Sequence, residues 1–317
     1  MKNLRIIYMG TPDFAVETLR ALVENGFNVA GVVTMPDKPA GRGHKIQFSP
    51  VKQYALANNL PVLQPEKLKD EQFLSELKAL NADLQIVVAF RMLPEAVWNM
   101  PRLGTFNLHA SLLPQYRGAA PINWAIINGE TETGISTFFL THEIDTGNII
   151  LQEKIPISSV ETAGDIHDKL MKAGSELVLK TVKLILDGKA QGIPQAQISD
   201  LKPAPKIFKE TCKIDWQKPV RELYNFVRGL SPYPAAWTEI ASPAGEVSTL
   251  KIFETEIEIA THNNPAGKML TDGKKFIKIA VPDGYLHLVS IQLPNKKRMK
   301  TVELLQGFDL EEWEVKI

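Results

Sequence analysis

Cysteine is almost missing from this sequence: Cys212 stands alone. A single thiol excludes an internal disulfide and any zinc site built on several cysteines. With no signal-peptide pattern at the start, it leads us to expect a reducing, cytoplasmic setting. Net charge is missing too, since 36 Lys and Arg balance 36 Asp and Glu. A nucleic acid could then be held only by a local patch, not by the field of the whole chain. No apolar run approaches the ~20 residues that span a bilayer, so no membrane partner is expected. Two catalytic fingerprints are also absent. Without a Gly-x-Ser-x-Gly elbow, Ser111 and His109 do not read as parts of a serine hydrolase. Gly10 opens no Gly-x-Gly-x-x-Gly, and Gly41-Arg42-Gly43 does not start a helix directly after a strand, which argues against a dinucleotide cofactor.

What is present suits an ordinary globular chain, 44% hydrophobic and 23% charged, and 317 residues exceed a single core, so two domains are expected. Leu4 to Met9 is a short apolar run closed by Gly10, and Asp13 to Glu24 carries Phe14, Leu19, Leu22 and Val23 at helical spacing. Val29 to Val33 reads as a second strand, followed by a Pro- and Gly-rich loop from Thr34 to Ser49. Ser49 can cap a helix with Pro50 at its first position, running to about Asn59. Leu84 to Ala89, Gly104 to His109, Ser136 to Leu140 and Ile149 to Ile155 read as further strands. Thr162, with Asp165 at the capping-box position, starts a helix from Ala163 to about Leu186 that Gly188 ends. Short apolar strands alternating with helices predict a doubly wound, mostly parallel α/β sheet, whose ligands sit beyond the carboxyl ends of the strands.

Residues 189–205 are rich in Gln, Ala, Pro and Gly without periodicity, the composition of a linker. Beyond them a helix from Pro219 to Leu230 precedes five short β-rich segments between Ala236 and Gln292, separated by turn residues. That pattern predicts a small β-barrel of the OB-like kind. The expected organisation is a catalytic domain over 1–188, a linker over 189–205 and a barrel domain over 206–317.

Three polar residues stand at the carboxyl edge of the first domain. Asn107 and His109 are two apart on one strand and so share a face. Thirty-six residues further on, Asp145 supplies a carboxylate, and Gly147 permits a tight turn. Each residue alone fits a satisfied structural role; their combination with the turn-forming Pro114 to Gly118 points to a reaction centre. Arg117 reads as a structural partner of a carboxylate. Lys38, Arg42, His44 and Lys45 lie on the Met35 to Phe48 loop, which composition alone makes a solvated surface loop. From Lys206 onward 16 basic residues meet 15 acidic ones, with cations clustered at Lys274, Lys275, Lys278 and at Lys296, Lys297, Arg298, Lys300.

Asn107-Leu-His109-Ala-Ser111-Leu-Leu-Pro114, with Asp145 downstream, resembles the signature of the folate-dependent formyltransferases. The longer run through Gly118, Ala119-Ala120-Pro121-Ile122 and Gly129-Glu130-x-x-Thr133-Gly134 is similar to the branch that formylates an aminoacyl-tRNA. So are Gly10-Thr11-Pro12-Asp13-Phe14-Ala15, Pro36-Asp37-Lys38-Pro39-Ala40-Gly41-Arg42-Gly43, and Ala204-Pro205-Lys206 with Ile214-Asp215-Trp216. The resemblance covers almost the whole chain. Arg91 departs from it, at a position where many members carry Gly.

The resemblance implies transfer of the formyl group of 10-formyltetrahydrofolate, a co-substrate, to the α-amino group of methionine on initiator tRNA. It needs no metal. Asn107 and a protonated His109 would hold the oxyanion, and Asp145 would favour the charged imidazole. Phe90, Arg91, Leu93, Ser111, Leu112, Leu113, Pro114, His142 and Ile144 would line the pterin pocket. Lys38, Arg42, Lys45, Lys206, Lys209, Lys297 and Arg298 would meet the tRNA, with the Arg42 loop entering the acceptor stem and the enzyme acting as a monomer. Formylation of an amino sugar nucleotide by the same core is the nearest rival. Glycinamide ribonucleotide formylation and a non-catalytic folate-responsive RNA-binding module fit less well.

Overall fold

The computed structural model describes residues 4–40 and 45–316. Two compact units form, the first from Met1–Gly118, Thr133–Ile155 and His167–Pro203. The second combines Ala119–Glu132, Pro156–Ile166 and Ala204–Ile317.

In the first unit β1 (Arg5–Gly10) leads through α1 (Asp13–Glu24) to β2 (Asn28–Val33). Where the sequence predicts an irregular loop, β3 (Lys38–Ala40) and β4 (Lys45–Gln47) pair antiparallel. Runs of three residues are too short for periodicity to mark. α2 (Pro50–Ala57) begins as expected, with the Ser49 hydroxyl accepting from the Lys52 N–H at 3.1 Å. β5 (Val62–Leu63), α3 (Glu71–Ala79), β6 (Leu84–Val88), α4 (Glu95–Trp98) and β7 (Thr105–His109) follow. α3 is capped by the Asp70 carboxylate and buries Phe73 and Leu77, one turn apart. α5 (Pro121–Ile127) belongs to the second unit, and the chain returns through β8 (Glu132–Phe139) and β9 (Ile149–Pro156) to α6 (Ala163–Leu186). Thr162 and Asp165 form the predicted capping box.

The strand order is β5-β2-β1-β6-β7-β8-β9. β5, β2, β1, β6 and β7 run parallel, and β8 is antiparallel to β7. Strand order reverses between β1 and β6, the switch point beside which such sheets bind ligands. Met9, Val87 and Asn107 stand in register across β1, β6 and β7. On that face Ile7, Met9 and Val87 pack against Phe73, Leu77 and Val97, so Asn107 and His109 share it beyond the apolar core. The other face of β7 meets α6, where a Cβ on Gly174 would lie 2.7 Å from Leu108 Cδ2.

The second unit contains α7 (Val220–Leu230) and the strands β10 (Ala236–Ala241), β11 (Val247–Ile259), β12 (Met269–Thr271), β13 (Ile277–Val281) and β14 (Gly284–Gln292), with α7 packed against α5 and against β10, β11 and β14. β15 (Met299–Lys300), α8 (Thr301–Leu305) and β16 (Glu314–Lys316) complete it. The order β12-β13-β14-β11-β10-β16 is antiparallel throughout, with β15 on β14, giving a nearly closed barrel. Trp216, Val227, Leu230, Ile252 and Ile291 fill its core, and Ile127 of α5 packs on it.

Candidate active site

Alternation along β7 carries Asn107 and His109 to the carboxyl edge of the sheet. His109 is buried, and its Nε2 lies 2.9 Å from the Tyr116 carbonyl oxygen. A carbonyl only accepts, so Nε2 carries the hydrogen and Nδ1 is the ring nitrogen outside that bond. Nδ1 faces Asp145 Oδ2 at 3.8 Å, a charge contact longer than a hydrogen bond. The same Oδ2 accepts the Gly118 N–H at 2.9 Å. Asn107 is half-buried, and its Oδ1 is enclosed without a hydrogen-bond partner. An enclosed amide oxygen left unpaired is costly unless a ligand completes it.

The turn after β7 is held from below. Ser111 donates to the Gln115 carbonyl at 2.7 Å, and Ser136 donates to the Ser111 carbonyl at 2.6 Å. Gln152 donates to the Leu113 carbonyl and to Ser136 Oγ. Ser111 and Leu113 are therefore buried parts of the turn, while Leu112 and Pro114 are half-buried. Tyr116 adopts φ 58°, and its N–H reaches the Lys202 carbonyl at 2.7 Å.

Asp145 sits on a loop whose geometry differs from the expectation. Gly147 does not supply the left-handed residue; Asp145 itself does, at φ 54°. Gly147 is needed for close approach, because a Cβ there would lie 1.6 Å from the Phe139 carbonyl oxygen. Arg117 also differs, since its guanidinium meets an amide rather than a carboxylate. Its Nε and Nη2 donate to Gln195 Oε1 at 3.2 and 2.7 Å. Gln195 Nε2 in turn donates to the Asp145 and Gly147 carbonyls at 2.8 and 2.9 Å.

Phe90 follows Ala89, whose φ is 47°, and is half-buried against the apolar core, while Leu93 is buried in it. Arg91 turns to the Pro65 and Glu66 carbonyls, and burial pushes its guanidinium below the ordinary arginine value. Leu68, Lys69, Leu74, Met92, Leu93, Pro94, Glu95 and Ala96 line a concavity. His142 is exposed, 3.8 Å from Glu95 Oε1 and edge-on to Trp98, and Ile144 is exposed nearby in sequence.

Of the expected nucleic-acid contacts, Arg42 lies outside the described residues, as do the side chains of Lys38 and Lys45. In the second unit Lys206 lies over Phe208, and Lys209 over Trp237. Arg298 and Lys300 both engage Glu254, which holds that carboxyl below the usual glutamate value. Lys297 forms no ion pair among the described residues.

Sequence reasoning missed Gln195, Ser136, Gln152 and the Gly118 N–H. The first three touch the site from other segments, and the last is a backbone group that no side-chain pattern encodes.

Residues 2–182 match the family described as Formyl transferase, and residues 206–309 match Formyl transferase, C-terminal domain. The chain belongs to this family. Among its relatives, the methionyl-tRNA formyltransferase of Bacteroides fragilis is 65% identical over 314 residues, covering 98% of this chain and 97% of that one. That of Bacteroides thetaiotaomicron is 67% identical over 312 residues, with the same coverage. Among solved structures, HypX from Aquifex aeolicus, in complex with tetrahydrofolic acid, matches with a TM-score of 0.65 at 17% identity over 96% of this chain. The chain spans 47% of HypX. WlaRD, a sugar 3N-formyl transferase, matches with a TM-score of 0.63 at 21% identity over 93% of this chain and 99% of its own. At these identities the likeness is one of fold.

Proposed function

We propose that this protein transfers the formyl group of 10-formyltetrahydrofolate to the α-amino group of methionine esterified to initiator tRNA. The product is N-formylmethionyl-tRNA for translation initiation. The observation that carries this reading is the arrangement of His109, whose Nε2–H is committed to Tyr116 and whose Nδ1 faces Asp145 beside Asn107. Identity to named relatives over the full chain supports the choice of acceptor.

The residues present fit a folate bearing a formyl group. Phe90, Leu93, Leu112 and Pro114 offer apolar walls, and the unpaired Asn107 Oδ1 offers an acceptor to the incoming amine N–H. Asn107 Nδ2 and a protonated His109 Nδ1 donate to the oxyanion that develops on the formyl oxygen as the amine adds to the carbon. The nitrogen–carbon bond to methionine forms, the bond from the formyl carbon to the folate nitrogen breaks, and one proton moves from the amine to that nitrogen. His109 Nδ1 gives its proton to that nitrogen and takes up the one the amine sheds, and Asp145 stabilises the imidazolium. Arg91, Ser111, Leu113, His142 and Ile144 shape the folate pocket around these groups.

In this reading the chemistry lies within residues 1–188, and the barrel of 206–317 grips the tRNA, with 189–205 between them. Lys38, Arg42, Lys45, Lys206, Lys209, Lys297 and Arg298 meet phosphates or exposed bases. The protein acts as a monomer in the cytoplasm, with the folate and the tRNA as its partners. The test offers labelled 10-formyltetrahydrofolate with either methionyl initiator tRNA or a dTDP-linked amino sugar. Label on methionine released from the tRNA is expected; label on the sugar alone would contradict the reading.

A further inference from the structure

We propose that Gln195 is a positioning residue for formyl transfer, fixing the Asp145 loop against His109. The proposal rests on the role given above to Asp145.

Gln195 has all of its amide capacity directed at one task. A guanidinium only donates, and a carbonyl only accepts, so the contacts to Arg117 and to Asp145 and Gly147 allow a single orientation of the amide. Arg117 thereby locks the side chain that holds two carbonyls of the loop. The next residue, Gly118, completes the ring by donating its N–H to Asp145 Oδ2. Asp145 is thus gripped at its backbone by Gln195 and at its carboxylate by Gly118. The grip matters because Asp145 adopts φ 54°, a region uncommon for residues other than glycine.

The segment carrying Gln195 is itself fastened on both sides. Ile193 exchanges both backbone hydrogen bonds with Ile149 at 2.8 Å. Gln115 Nε2 donates to the Asp200 carbonyl, and the Lys202 N–H donates to Gln115 Oε1. The Lys202 carbonyl accepts from Tyr116, the residue whose own carbonyl holds His109. One strap, residues 193–202, therefore touches the anchors of both members of the His109–Asp145 pair. These contacts hold both sides of the 3.8 Å separation, and reaction rates are sensitive to such placement.

The test compares Gln195→Ala, Gln195→Glu, Asp145→Asn and the double variant Asp145→Asn/Gln195→Ala in steady-state formyl transfer. Gln195→Glu keeps the size and the Arg117 partner but turns an oxygen against two carbonyls. Both Gln195 variants should lose kcat, by up to the roughly 100-fold that a 1 Å misplacement costs. KM for each substrate should stay within about twofold, and the melting temperature should be nearly unchanged. The double variant should be no slower than Asp145→Asn, because Gln195 acts through Asp145. Wild-type kcat in either Gln195 variant, a double variant slower by the product of the two single losses, or a loss seen in KM and melting temperature alone would overturn the inference while leaving Asp145 its role. Wild-type kcat in Asp145→Asn would instead overturn the assignment of Asp145 and this inference with it.

Discussion

His109 has one nitrogen available for chemistry. Because Nε2–H is held by the Tyr116 carbonyl, the ring cannot present its other tautomer without breaking that bond, and Nδ1 points at Asp145. His109→Ala should therefore reduce kcat by about 10²- to 10⁴-fold, the usual worth of a positioned acid, with folate affinity retained in equilibrium binding. The shared face of Asn107 and His109 and the approach of Asp145 to it were legible in the sequence, because strand alternation and a turn residue are local signals. Gln195 was not. It stands in a polar tract without periodicity, 50 residues from the loop it holds, and no local pattern encodes a hydrogen bond across that gap. Arg117 was legible as a structural residue but not by its partner, since the expected carboxylate is an amide.

At the scale of elements, the sheet and the long helices were readable because apolar spacing repeats several times within each. β3, β4, β5, β15 and β16 have only two or three residues apiece, so their pairing depends on neighbours that the chain supplies from elsewhere. The Leu140 to Asn148 loop shows how one position can decide an element. Phe139 bonds through its N–H to the Asn148 carbonyl, and Gly147 packs where no side chain fits. Gly147→Ala should displace this loop, costing about 1–3 kcal/mol of stability as overpacking does. Activity should fall with it, as calorimetry and formyl-transfer rates on the same sample will show. In the barrel, Glu254 joins β11 to β15 through Lys300 and to the preceding turn through Arg298. Hydrogen bonding to Lys300, ahead of the charge of both cations, lowers its folded value below the ordinary 4.5. The carboxylate's contribution is then complete above that value and is lost as the pH falls through the lower folded one. Glu254→Gln should make acid unfolding of the barrel shallower below about pH 4.5, followed by tryptophan fluorescence.

On the scale of the whole molecule, composition marks one change of character near residue 189, yet the second unit also takes up residues 119–132 and 156–166. Those segments carry ordinary helical and turn sequences, and their membership is decided by packing: Ile127 on the barrel core, Asn123 on the Gly229 carbonyl, and Arg228 on the Ser158 and Glu161 carbonyls. Such long-range choices leave no periodic trace. In the proposed reaction one unit carries out formyl transfer and the other holds a large acceptor, and this division can be measured directly. Single-turnover formyl transfer to methionyl initiator tRNA should be followed for Asn107→Ala beside the wild-type protein, with tRNA affinity determined on the same preparations. We predict a loss in rate of about 10²- to 10³-fold, as for removal of one oxyanion donor, with tRNA affinity unchanged. A rate equal to wild type, or a loss that appears only as weakened tRNA binding, would contradict the account.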